Sequence, residues 1–373
     1  MRIGLDGIPL VSSKTGIGHY TLELARALAK IDPDDEFELI SPFRFNSSSL
    51  EDDLPRNLKK VEARRRKFWW GVGLPLYLRR SKPSLFHGTN YEIPLLSRCP
   101  TVLSIHDLSL LLHPETHLNQ LVRRARYRLP LMARAAKKII TATEFVKKEV
   151  CEHLKVDPGK VVVTPYAPRS TFQPLSRSKT EETRRRLGIE ETFILFVGTI
   201  EPRKNLLTIL RSLSEVLRST DLRPQLVIAG KQGWLTGETM NYIESEGLSE
   251  RVKFTGYITD DDLRVLYASC TVCVYPSLYE GFGLPPLEAM SCGAPVIASN
   301  VPSLAETVGQ AALLVPPTDV EQLAQALIDM LRDSDKRSHF SRTGLEHSSH
   351  FTWERTAQLT LEVYRQSLSL LYH

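Results

Sequence analysis

Residues 280–288 read EGFGLPPLE, two glutamates eight positions apart around two glycines and a proline pair. The run before them, TVCVYPSL, is a strand that feeds into the glycines. A proline pair opens a helix readily, because the first helical position needs no backbone donor. LEAMSC then continues the helix, and Gly293 suits its C-terminal cap. The amides of Gly281, Phe282, Gly283 and Leu284 are therefore expected at a helix N-terminus, where orphan N–H groups and the dipole favour an anion. Glycine there lets a ligand approach the backbone closely. Glu280 falls at the strand end, and Glu288 falls about one turn into the helix. A carboxylate near a helix start also complements the dipole, so Glu288 taken alone has two readings.

The whole string resembles the E-x-seven-E motif of retaining, nucleotide-sugar-dependent glycosyltransferases, the large family 4 group with the GT-B fold. The resemblance runs along almost the whole chain. VGTIEPRKNL (197–206) is similar to the family's phosphate loop. Arg203 and Lys204 are expected in the first turn of a helix, where cations oppose the dipole and point to an anion nearby; a solvated surface is the alternative. Many relatives carry arginine directly after V-G, where this chain has Thr199, so Lys204 keeps the match and Arg203 is the substitute clamp. TGIGHY (15–20) resembles the glycine loop that closes over the diphosphate, through Gly16 and Gly18. It lacks the full dinucleotide fingerprint, which disfavours a nicotinamide cofactor. SIHDLS (104–109) puts His106 and Asp107 at a strand end, where the family has a histidine near the donor sugar; an internally satisfied histidine is the alternative. GTNYEIP (88–94) is placed on the acceptor side, and TGYITDDDL (255–263) resembles the loop whose backbone around Tyr257 and Ile258 meets the nucleotide base.

The resemblance implies a division of labour. Glu280 and His106 act at the donor sugar, Glu288 accepts the ribose hydroxyls, and Arg203, Lys204, the 281–284 amides and the Gly16–Gly18 loop face the diphosphate. No metal and no cofactor is expected, the nucleotide sugar being a substrate. The acceptor the resemblance implies is a glycan or a lipid-linked acceptor of cell-surface polysaccharide synthesis. The wording GLDGIPL, TGIGHYT, GTIEPRKNL and FTWERT is most similar to bacterial GDP-mannose-dependent mannosyltransferases of polysaccharide assembly. UDP-sugar-dependent glucosyl or N-acetylglucosaminyl transfer is the alternative within the fold. A nucleotide-sugar 2-epimerase and a non-catalytic nucleotide-sugar-binding protein are the alternatives from other classes.

These residues need a scaffold that brings strand ends together. The 373 residues suggest two domains, since single cores seldom exceed about 250–300 residues. RIGLD (2–6) and FILFVG (193–198) each open a strand–loop–helix unit, and further strands follow at 37–41, 84–87, 101–105, 138–142, 161–165, 225–230, 251–256, 270–276, 294–299 and 311–316. The alternation with helical patterns predicts an α/β chain of two Rossmann-like, doubly wound domains with parallel sheets, facing across a cleft. The polar, proline-rich stretch 167–188 marks the boundary: 1–170 forms the acceptor-side domain, completed by a helix over 355–373, and 171–354 binds the donor.

Composition and charge exclude several classes. A net charge of +5 is mild, and no nucleic-acid partner is expected. Five cysteines make no disulfide framework, Asp6 interrupts any signal-peptide core, and no apolar run spans a bilayer, all of which predicts a cytoplasmic protein. ARRRKFWWGVGLPLYLRR (63–80) mixes basic residues with Phe68, Trp69, Trp70 and Tyr77, a combination that docks to an anionic membrane surface. RNA and a plain solvated face are its alternatives. Asp260–Asp262 carries a D-x-D pattern, but Thr259 before it reads as a helix cap. Cys270 and Cys273 read as buried core thiols.

Overall fold

The structure, a computed structural model, describes residues 1–12, 16–45, 54–63 and 67–369. Among these residues it contains two all-parallel sheets. The first holds β1 (Arg2–Asp6), β2 (Glu36–Ser41), β3 (Leu58–Glu62), β4 (Leu85–Gly88), β5 (Thr101–Ser104), β6 (Lys138–Thr141) and β7 (Val161–Val163). The second holds β8 (Phe193–Val197), β9 (Gln225–Ala229), β10 (Val252–Gly256), β11 (Val272–Tyr275), β12 (Val296–Ser299) and β13 (Leu313–Val315). Every segment read as a strand from the sequence forms one, with ends moved by one or two residues. They are short apolar runs because helices cover both faces: all five residues of FILFV and all four of VCVY are buried. The unexpected strand is β3, LKKVE, an edge strand whose exposed Lys59 and Lys60 hide it among polar segments while blunting the free edge.

The strand orders are β3-β2-β1-β4-β5-β6-β7 and β10-β9-β8-β11-β12-β13. In each sheet the chain works outward from its first strand, then crosses back to lay the next one on the other side. The order therefore reverses between β1 and β4, and again between β8 and β11. Outside the carboxyl ends of such a strand pair there is a crevice between diverging loops, where open α/β sheets bind ligands. Asp6 ends β1 and Gly88 ends β4; Val197 ends β8 and Tyr275 ends β11.

The chain divides into two compact units, one of Met1–Leu111, Gln120–Ala167 and Phe351–His373, the other of Leu112–Asn119 and Pro168–His350. In the first unit, which also holds α2 (Leu74–Ser81) and α3 (Glu144–Leu154), α1 (Gly16–Ile31) packs against the late helix α7 (Trp353–Ser369). A buried polar chain ties α7 to the sheet. Tyr364 OH bonds His87 Nδ1 at 2.7 Å, His87 Nε2 bonds Ser104 Oγ at 2.8 Å, and Ser104 Oγ bonds Tyr20 OH at 2.8 Å. Burial pushes the His87 imidazole down to about 3, so it stays neutral and relays one hydrogen bond on each nitrogen. Among the described residues no helix is long and apolar enough to cross a membrane.

Replacing Tyr364 with phenylalanine leaves His87 Nδ1 buried without its partner. Tyr364→Phe is expected to cost about 1–3 kcal/mol, read as a lower urea midpoint with an unchanged far-UV spectrum.

Candidate active site

The second unit's crevice is built on a close approach of two turns. After β8 the chain passes through Gly198, and after β9 through Gly230, both at strongly positive φ. A Cβ on Gly230 would sit 1.9 Å from the Gly198 carbonyl oxygen, so only glycine lets the two turns touch. Pro202–Lys204 then forms a single 3₁₀ turn, and Asn205, at φ +57°, reverses the chain into α4 (Leu206–Ser219). Asn205 Nδ2 donates to the carbonyls of Pro276 and Pro317, which pins the turn beside the end of β11. Arg203 and Lys204 thus precede the helix rather than occupying its first turn. They are not first-turn cations set against its dipole.

Their charges are met within the protein. Lys204 Nζ donates to Tyr275 OH at 2.6 Å and to Glu280. Arg203 Nη1 lies 3.1 Å from Glu280 Oε2 and donates to the Tyr279 carbonyl at 2.9 Å, while Nη2 donates to Glu201 at 2.7 Å. Burial alone would raise the Glu280 carboxyl, but Lys204 and Arg203 outweigh it and hold it down at about 2. Glu280 is a fixed negative charge, unsuited to donate a proton at neutral pH.

Gly283 caps α6 (Leu284–Ser291) at φ +102°, where a Cβ would meet Leu304 Cδ2 at 2.3 Å. Helix α6 begins at Leu284, one residue before the proline pair. Pro285 and Pro286 lack N–H groups, so the donors at this helix mouth come from Leu284 and the residues before it. Gly293 follows the last turn at φ +84°, its N–H bonded to Met290 O. Glu288 lies buried on α6 and is gripped by Arg169, a residue the sequence places in linker and marks with no motif. Arg169 Nε and Nη2 donate to its two oxygens at 2.8 and 2.9 Å, Nη1 donates to Asp260 at 2.7 Å, and the guanidinium lies 3.9 Å from the Phe172 ring centre. Burial pushes the Glu288 carboxyl above its usual range, with Arg169 pulling against it. Thr259 caps α5 (Asp260–Ser269) through the Asp262 N–H, as the D-x-D segment requires of a helix start. Tyr257 is 53% exposed on the loop before it, with Lys231 Nζ 4.9 Å from its ring. Cys270 and Cys273 are buried. Among the described residues no cluster of three or more His, Cys, Asp or Glu gathers as metal ligands.

In the first unit, Gly16 and Gly18 belong to the opening turn of α1 rather than to a loop, and Thr15 lies outside the described residues. Among the described residues nothing lies within 4 Å of a Cβ placed on Gly16. His106 is buried with both nitrogens engaged: Nε2 donates to the Thr89 carbonyl at 2.8 Å, which leaves Nδ1 to accept from Tyr166 OH at 2.7 Å. Burial pushes it down to about 4 despite that carbonyl, so the ring is neutral. The same switch point opens a cavity of about 360 Å³ lined by Asp6, Trp70, Tyr91, Glu92, Asp107 and Arg124 among others. Tyr91 holds φ +58°, uncommon for an aromatic residue, and its hydroxyl accepts the Asp107 N–H at 3.0 Å. Of the 63–80 patch, Arg64–Arg66 lie outside the described residues. Trp69 is buried and Tyr77 OH donates to Glu38, so Phe68, at 81% exposure, is the aromatic residue that stands out.

Glu280 moves from an ordinary 4.5 to about 2 on folding, so its stabilisation is complete above about pH 4.5 and drains away as pH falls toward 2. Lys204→Met is expected to cost about 3 kcal/mol at pH 7 in urea unfolding, by leaving that charge under-compensated. Adding Glu280→Gln should recover part of the loss.

Comparison with known proteins gives a consistent assignment. Residues 179–347 match the family described as "Glycosyl transferases group 1", and residues 14–167 match "Glycosyltransferase Family 4". The O-antigen chain mannosyltransferase B of Escherichia coli is 31% identical over 98% of this chain and 100% of its own length. A serotype-specific mannosyltransferase of the same organism is 33% identical over 72% of this chain, which spans 34% of that longer protein. In fold, sucrose-phosphate synthase from Thermosynechococcus elongatus superposes with a TM-score of 0.78 at 23% identity, over 99% of this chain and all of the other. Two Rossmann-like parallel-sheet units, with these matches along both, make the chain a member of glycosyltransferase family 4, a GT-B glycosyltransferase of group 1.

Proposed function

We propose that the chain transfers a mannosyl group from GDP-mannose, with retention of anomeric configuration, to a glycan or lipid-linked acceptor of a cell-surface polysaccharide. The observation that carries this reading is the full-length similarity, at 31% identity, to a mannosyltransferase of O-antigen chains.

Transfer breaks the bond between the anomeric carbon and the diphosphate oxygen, through an oxocarbenium-like state, and forms one to an acceptor hydroxyl whose proton is released. Negative charge grows on the leaving diphosphate. Positive potential aimed there lowers the barrier, and Arg203, Lys204 and the amides at the mouth of α6 supply it without a metal. Those cations already hold Glu280. An arriving diphosphate competes for Lys204, which turns the ionised Glu280 toward the donor sugar, where it holds a hydroxyl and stabilises the cationic ring. Glu288 takes the ribose hydroxyls, and the loop at Tyr257 takes the base. The 171–354 domain is thereby the donor side. The 1–170 domain, with 355–373, is the acceptor side and adds the Gly16 and Gly18 amides for phosphate. His106 reaches the donor sugar by exchanging its Thr89 bond for a sugar hydroxyl. Exposed Phe68, with Arg79 and Arg80 nearby in sequence, supports a peripheral site on the cytoplasmic membrane face.

The test is a thermal-shift and turnover screen with excess chelator against GDP-mannose, UDP-glucose, UDP-N-acetylglucosamine and ADP-glucose. A donor at about 100 times its Kd stabilises by about 2.7 kcal/mol. GDP-mannose alone is expected to shift the melt and to be slowly hydrolysed; a UDP-sugar doing so instead overturns the donor assignment. Glu280→Ala and Lys204→Ala are each expected to cut transfer by about 100-fold or more with the fold intact, measured as kcat/KM.

A further inference from the structure

Arg169 follows directly on the boundary between the two units, yet its side chain is only 9% exposed. Three of its nitrogens are committed: two to Glu288, one to Asp260. Asp260 and the Phe172 ring anchor the guanidinium from its far edge and its face, so it cannot swing freely after a mobile ligand. A fork of this kind takes one lone pair from each carboxylate oxygen and fixes the plane of the group. The remaining lone pairs then point in set directions, a pair of acceptors spaced for two neighbouring hydroxyls. Without the guanidinium, a carboxyl buried this deeply favours its protonated form, which accepts on one oxygen and donates from the other.

The geometry points to Arg169 as a positioning residue for nucleotide-sugar binding, one that keeps Glu288 ionised and oriented as the acceptor for a vicinal diol of the donor. The inference rests on the proposed function through the assignment of Glu288 to the ribose hydroxyls. The ribose diol is common to every candidate donor, so the base and sugar do not affect it.

Calorimetric titration of the full chain with the four nucleotide sugars named above tests it, using wild type, Arg169→Lys, Arg169→Met, Glu288→Gln and the double variant Arg169→Met/Glu288→Gln. Arg169→Met is expected to weaken binding of the donor by about 10-fold or more, as loss of charge-assisted hydrogen bonding does. Arg169→Lys keeps the charge but not the fork and should fall between. The Arg169→Met deficit should be larger at pH 6 than at pH 8.5, because protonation of Glu288 removes the acceptor pair, and turnover should show it in KM more than in kcat. In the Glu288→Gln background Arg169→Met should add little, the mark of two residues acting as one. Should Arg169→Met fail to fold, the double variant, which leaves no buried carboxylate uncompensated and only the part-exposed Asp260 unpaired, and Arg169→Lys decide the matter. Additive losses, or a deficit indifferent to pH, overturn the inference while the proposed function stands. A wild-type chain that binds none of the four overturns the proposed function, and this inference with it.

Discussion

A carboxylate removed from water must be met by cations or it takes up a proton, and the second unit is organised around two such groups. Glu280 and Glu288 flank one helix mouth, and each is closed over by cations from distant parts of the chain. The two are solved differently. Glu280 receives a lysine and an arginine from the turn after β8, which overcompensate its burial. Glu288 receives a single arginine that is itself shared with Asp260, and burial leaves its carboxyl above the usual range. One acid is thereby a permanent charge; the other depends on its clamp. Their chemistry differs although the residue type is the same.

Topology is what makes this matching possible. Reversal of strand order between β8 and β11 leaves the loops after those strands side by side, and these loops carry the Arg203–Lys204 turn and Glu280. Glycines keep the geometry tight at two points: Gly230 admits the backbone of Gly198, and Gly283 admits Leu304. The first sheet repeats the strand order but furnishes its switch point with a cavity whose wall sets Asp6 and Glu92 beside Arg124 and Arg128. A repeated scaffold serves two unlike surfaces, as expected when function resides in the loops rather than in the fold.

What was legible in the sequence follows from how local each signal is. FILFV and VCVY read as strands because burial on both faces demands uninterrupted apolar residues; LKKVE escaped because an edge strand is free to carry lysines. EGFGLPPLE is legible because turn, helix start and both carboxylates fall within nine residues. The partners of those carboxylates are not local. Lys204 lies 76 positions from Glu280, and Arg169 lies 119 positions from Glu288. The lysine stands in a motif of its own, VGTIEPRKNL. The arginine sits alone in a polar stretch with no periodicity, so nothing in its neighbourhood announces a buried role. The sequence reads Arg203 into a helix for a related reason: the left-handed Asn205 that separates the 3₁₀ turn from α4 leaves no trace in the apolar pattern.

Helix α7 carries a consequence for how the molecule is made. It belongs to the first unit, but the ribosome reaches it only after the Pro168–His350 segment. At about 5–20 residues per second, those intervening 183 residues take roughly 10–40 s to emerge. Through that interval His87 waits for Tyr364, and the face of α1 that α7 covers stays wet. The second unit, contiguous apart from Leu112–Asn119, can complete its core first. The unit whose synthesis starts first is thus the last to have all its segments made.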